Sequence, residues 1–267
     1  MPYVTRVVVL LLALGSLAGL AHYAPFFANP HVYGKAAAGF FGPPAVVASS
    51  VSAWWHDGWR YRVAITIGAN GHARIDKPVE APLNFTTLLN TVGAGQQIDL
   101  NSLRLVEIDS VTGAALPDQP YQFDLAPAFN PQTNASGTLT FLLTGETPPA
   151  AQRTFHLYFD VAGSGLTAPI FPDQTAISTV TDQGQESFRI QTANATYYYH
   201  KEGGGFSSLD DTEGNDWISY SPTPSKSSGG SYRGIPNMVH PEGKLHPGAT
   251  GHTTVLAHSG PLKKTIS

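Results

Sequence analysis

At 267 residues the chain is long enough to bury one large core or two smaller self-sufficient ones. Its formal charge of −4 and the lack of any basic stripe exclude a nucleic-acid-binding surface of the usual electrostatic kind. Cysteine is absent, which excludes a disulfide framework, a thiolate nucleophile and a Cys-based metal site.

The N-terminus carries Arg6, then an uncharged apolar run over residues 7–21 that ends in the small residues Gly19 and Ala21. This order matches a secretory signal. As a helix the run spans roughly 22 Å, short of a bilayer core of about 30 Å unless residues 23–27 extend it. Residues 1–21 are therefore expected to be a hydrophobic signal or membrane-anchor helix, and the protein to be secreted or held in the cell envelope. Residues 22–53, with Pro25, Pro30, Pro43 and Pro44 and an Ala/Gly/Phe stretch, read as a spacer.

From Trp59 to Ile67 the odd positions are apolar, and Arg60, Arg62 and Thr66 alternate with them, the period of a half-buried strand. Leu103, Leu105, Val106 and Ile108 form the next apolar run. Leu139, Phe141 and Leu143 alternate, as do Phe155, Leu157 and Phe159, with His156 and Tyr158 on the opposite face. With 27 Gly and 21 Pro and no long helical runs beyond residue 50, these short strands predict an antiparallel β-sandwich over 54–165. The segments WHDGWRYRVAITI (55–67), DLNSLRLVE (99–107), GTLTFLL (137–143) and RTFHLYFD (153–160) resemble a β-sandwich module of secreted bacterial proteins, which commonly accompanies glycan-handling domains. The resemblance covers roughly 110 residues by pattern.

Gly163, Gly165, Pro169 and Pro172 mark a linker over 166–182. Strand signals resume at Phe188 and Ile190, continue through residues 195–200, turn at residues 203–205 and reach an acidic turn at residues 210–216. The stretch TANATYYYHKEGGGFSSLDDTEGNDWISY resembles the opening hairpin of galactose-mutarotase-like sandwich domains, which recur in sugar epimerases, glycoside hydrolases and polysaccharide lyases. Residues 183–267 supply about 80 residues of that pattern, fewer than such domains have, and stop at Ser267 without a closing turn. The second sandwich is expected to be incomplete. The fold class that follows is all-β, with two antiparallel β-sandwich domains after the N-terminal helix.

The densest set of functional groups lies in the Gly/Pro-punctuated segment 229–248. Acidic-polysaccharide lyases need a cation for the uronate carboxylate, a base for the C5 proton and an acid for the leaving oxygen. Arg233 suits the first by its planar fork, His240 or His246 the second, and Tyr232 the third. Asn237, Glu242, Trp217 and Tyr198 complete a candidate carbohydrate-binding set. An Arg233–Glu242 ion pair within a Pro-shaped loop is the architectural alternative.

His240, Glu242, His246 and His252 fit no zinc spacing, and the turn 210–216 lacks the calcium-loop order, so no metal or other cofactor is assigned. Trp54, Trp55, Trp59 and Tyr197 to Tyr199 could present rings to sugars or fill cores. Sequons at Asn84, Asn134 and Asn194 read as incidental. The expected partner is an extracellular polysaccharide, with membrane attachment through the N-terminal segment. The alternative is a non-catalytic surface adhesin or structural module.

Overall fold

The alternation over residues 59–67 becomes strand β2 (Tyr61–Gly68) in the computed structural model, which describes residues 7–11, 54–202, 204–218 and 254–267. The chain is mostly β. It divides into two compact units, one made of Met1–Tyr121 with Leu125–Ile170, the other of Gln122–Asp124 with Phe171–Ser267.

In the first unit β2 lies between β1 (Val7–Leu11) and β8 (Gln152–Val161), and β8 continues to β4 (Ile98–Ile108) and β5 (Ala115–Gln119). Among the described residues only the β1–β2 pair is parallel. Residues 7–11 are thus extended rather than helical, in keeping with the strand preference of the β-branched run Val7-Val8-Val9. Among the described residues no helix is long and apolar enough to cross a membrane.

A second sheet runs β3 (Arg74–Asn84), β7 (Ser136–Thr147), β6 (Tyr121–Leu125). Register puts Val63 and Leu105 on either side of Leu157, and Ile65 beside Phe155, so their side chains share one face of the first sheet. Val79 and Phe141 pair in the same way in the second. The Phe141 and Phe155 rings meet at 4.8 Å, and both are fully buried. The one helix among the described residues, α1 (Phe85–Thr91), starts where the Asn84 side chain accepts from the Thr87 amide. Asn84 Nδ2 donates to Ser136 Oγ and Asn134 Nδ2 to the Ala128 carbonyl, which occupies the nitrogens a glycan would need at two of the three sequons.

The other face of the first sheet carries Arg62, His156, Tyr158 and Val106. Trp59 packs there, with Trp54 and Trp55 against it. The Arg62 guanidinium sits under the Trp54 ring at 4.7 Å and donates to Tyr158 Oη at 3.1 Å, while the Trp55 amide donates to the same oxygen at 3.0 Å. Beside them Asp160 accepts from Arg60 N and Nε and from Val161 N.

His156 is 7 % exposed, and burial, with the nearby Arg62 charge, lowers its pKa to about 4. The unfolded chain takes up that proton near pH 6.5. Between about pH 6.5 and 4 the unfolded state therefore binds more protons, so stability is full above that window and falls as pH drops through it. Urea unfolding at about pH 7 and pH 4.5 should differ by about 2 kcal/mol from this group, and His156→Phe should flatten the difference. An equal loss in the variant would assign the acid sensitivity elsewhere.

Candidate functional site

The second unit contains a four-stranded antiparallel sheet in the order β12 (Gly205–Asp211), β11 (Ala195–His200), β10 (Gln185–Gln191), β9 (Ala176–Asp182). Strand β9 takes the last seven residues of the stretch read as a linker. Its β-branched Ile177, Thr179, Val180 and Thr181 supply strand preference that the Gly/Pro-rich residues before it conceal. Gln183 and Gly184 join β9 to β10 with φ of 48° and 81°, the left-handed pair that a two-residue hairpin turn of matching twist requires.

Register sorts the tyrosines. Tyr198 lies across from Arg189 on β10 and Ser208 on β12. Tyr197 and Tyr199 fall on the opposite face and pack on the Phe206 ring at 5.9 and 5.2 Å. A bulge between Tyr198 and Tyr199 makes room for Ser207, whose hydroxyl donates to Asp182. His200 is buried, with Nε2 3.0 Å from Gln185 Oε1, and burial lowers its pKa.

After β12 the chain reverses at the acidic turn and returns along the outer edge of the strand. Asp216 bridges Asp210, and the Trp217 amide donates to the Leu209 carbonyl. Asp211 organises the turn. Its Oδ1 accepts from the Glu213 and Asn215 amides at 3.0 and 2.9 Å, and its Oδ2 accepts from Asn215 Nδ2 at 2.9 Å and Trp217 Nε1 at 2.8 Å. Those donors lower the Asp211 pKa to about 2, the Asn215 bonds contributing most. The Asp211 carboxylate is thus committed to backbone, Asn215 side-chain and indole donors, which is hairpin chemistry. Among the described residues no three His, Asp or Glu side chains converge as a metal ligand set.

The Trp217 indole is consequently held by its N–H while its residue stays 70 % exposed. An aromatic side chain with its polar atom already satisfied and its ring in water offers a flat apolar surface of fixed orientation. Of the residues read from sequence as sugar contacts, Trp217 and Tyr198 are placed and are not brought together. Tyr198 shares a face with Asp210 and Ser208, whereas the Trp217 indole reaches Asp211, on the opposite face with Leu209 and Tyr197. Tyr232, Arg233, Asn237, His240, Glu242 and His246 lie outside the described residues.

Trp54, Trp55 and Trp59 pack edge-on or tilted around Tyr158 rather than standing clear as platforms. Sequence reasoning missed Asp211, although the Asp-x-Glu-x-Asn spacing of an Asx-type turn was there to read. It also missed Arg189. Its Nε is enclosed without a hydrogen-bond partner, while Arg60 and Arg153 each engage a carboxylate.

No family model, curated protein or solved structure matches this chain.

Proposed function

We propose that this is an exported carbohydrate-binding protein built from two β-sandwich units, the second presenting the sugar platform. The single observation that carries the reading is the exposed Trp217 ring, pinned through its N–H to Asp211. A sugar ring can lay its C–H face on such a surface without displacing any protein hydrogen bond, and little side-chain freedom is left to lose on binding. The charged, then apolar, then small-residue order of the first 21 residues supports export. The reading assigns extracellular polysaccharide as partner and leaves the chemistry of residues 229–248 as a further, catalytic layer on the same glycan.

Gel retardation of the full chain by a panel of soluble polysaccharides tests it. Retardation by at least one glycan should weaken about tenfold in Trp217→Ala, a loss of about 1.4 kcal/mol, with melting unchanged. Trp54→Ala, which removes a ring packed on Arg62, should leave retardation intact. Retardation by no glycan, or an unaltered Trp217→Ala variant, would sink the proposal.

A further inference from the structure

The sheet of β9 to β12 is curled. Asp182 ends β9 and Ser208 lies on β12, with β10 and β11 between them. Three strand spacings make about 14 Å in a flat sheet, farther than two short side chains reach. Yet Asp182 Oδ2 accepts from the hydroxyls of Ser207 and Ser208 at 2.7 and 3.0 Å. The face that bears Asp182 and Ser208 is therefore concave. By register it also carries Ser178, Arg189 and Tyr198, side by side on adjacent strands, with Gln191 and Thr196 in the next row.

Arg189 is set apart from the other described arginines. Arg60 and Arg153 hold carboxylates, Arg62 a phenol oxygen, and Arg74 and Arg104 backbone carbonyls. Among the described residues Arg189 makes neither a hydrogen bond nor an ion pair, and its Nε is enclosed. The Tyr198 hydroxyl and Ser178 Oγ on either side have no hydrogen-bond partner there either.

An enclosed guanidinium N–H without an acceptor bears the cost of desolvation with nothing gained in return. An incoming oxyanion supplies the acceptor, and the planar fork takes a carboxylate or a sulfate through two parallel bonds. The neighbouring hydroxyls can bond further oxygens of the same ligand. Arg189 carries one charge, and Asp182 and Asp210 on the same face oppose a second negative one, so the match is a monoanion.

We propose that this concave face binds an acidic sugar, with Arg189 on its carboxylate or sulfate ester and Tyr198 and Ser178 on neighbouring oxygens. The site goes beyond the Trp217 platform, because Arg189 and the Trp217 indole belong to opposite faces. A formal charge of −4 repels anions overall, so the attraction is local to Arg189.

The test titrates the full chain with trigalacturonate, its uncharged methyl ester and a galactose trimer sulfated at O6, followed by calorimetry at neutral pH. Trimers keep the ligand to one face. At least one charged trimer should bind about tenfold more tightly than the ester, and the tighter of the two names the source of the anion. Arg189→Gln should remove that difference. Arg189→Lys should keep only part of it, since an ammonium lacks the fork. Trp217→Ala should leave it whole. Should Arg189→Gln fail to fold, NMR of the arginine Nε–H signals decides, because the charged trimer should move the one signal that Arg189→Lys lacks.

Equal binding of the charged trimers and the ester, an unmoved Arg189 signal, or a preference that survives Arg189→Gln would overturn the proposal. Loss of the preference in Trp217→Ala would also overturn it, by placing the anion on the other face. None of these outcomes decides whether polysaccharides retard the protein through Trp217, so the two readings fail separately.

Discussion

Phe155→Ala should cost about 3 to 5 kcal/mol, a large share of the roughly 5 to 15 kcal/mol that holds an ordinary domain folded. Phe155 is fully buried on β8, between Ile65 of β2 and Glu107 of β4 in register, and its ring meets Phe141 from the second sheet at 4.8 Å. Removing it opens a cavity against Phe141 that neighbours locked in strand register cannot close. The Arg153 guanidinium over the same ring, 5.6 Å from its centre, loses its support too. Phe155→Leu fills most of the volume and should cost less than half as much. Urea unfolding of the three proteins, followed by circular dichroism, checks the order. Equal midpoints for Phe155→Ala and the parent would mean that the two sheets do not share a core.

Asp160→Ala should cost about 3 kcal/mol through a different mechanism, stranded donors rather than lost volume. The Asp160 side chain is 2 % exposed. It accepts from Arg60 Nε at 2.7 Å, from the Arg60 amide at 3.1 Å and from its neighbour Val161 N at 2.7 Å, and it pairs with Arg60 Nη2. The hydrogen bond to Asp160 also raises the Arg60 pKa. Truncation leaves two backbone amides and a guanidinium without their acceptor. Arg60 is 39 % exposed and can turn toward water, which keeps the cost at the low end of what a broken buried pair brings. Asp160→Asn retains one acceptor oxygen and should lose less. The double variant Asp160→Ala with Arg60→Ala should be less destabilised than the sum of its single changes. Strict additivity would show that the pair contributes nothing jointly.

Where burial and period coincide, the strands are legible in sequence. β2, β4, β7 and β8 carry their inward residues at every second position, and the register aligns those positions into one core. β3 is different, because its sequence RIDKPVEAPLN contains two prolines that argue against a strand. It is an edge strand, and Pro78 and Pro82 share the parity opposite to the inward Val79, Ala81 and Leu83. Their missing N–H groups can thus fall on the side without a partner, a distinction that needs the sheet order. β9 is hidden for a related reason. As an edge strand with exposed Ser178 and Thr179 it has no continuous apolar face to betray it.

The candidate site divides along the same line. That the three tyrosines alternate is readable from period alone, and the register puts Tyr198 on the face opposite Tyr197 and Tyr199. That Trp217 stands in water while Trp59 is buried is not. Both follow polar turns, Asp57-Gly58 before Trp59 and Gly214-Asn215-Asp216 before Trp217, and only the tertiary packing on Tyr158 and Val106 separates them. The tie between Trp217 and Asp211 joins residues six apart through a turn, a side-chain bond that no hydrophobic pattern encodes.

The most direct test of a Trp217 sugar platform is an NMR titration of isotope-labelled full-length protein that follows its four tryptophan indole N–H signals, with Trp217→Phe used to assign the relevant one. Addition of a glycan that retards the protein in gels should move the Trp217 signal, whose proton is held by Asp211, and leave those of Trp54 and Trp59, hydrogen-bonded to backbone carbonyls, where they were. Shifts confined to Trp54, Trp55 or Trp59, with Trp217 unmoved, would contradict the account and place the sugar on the first unit instead.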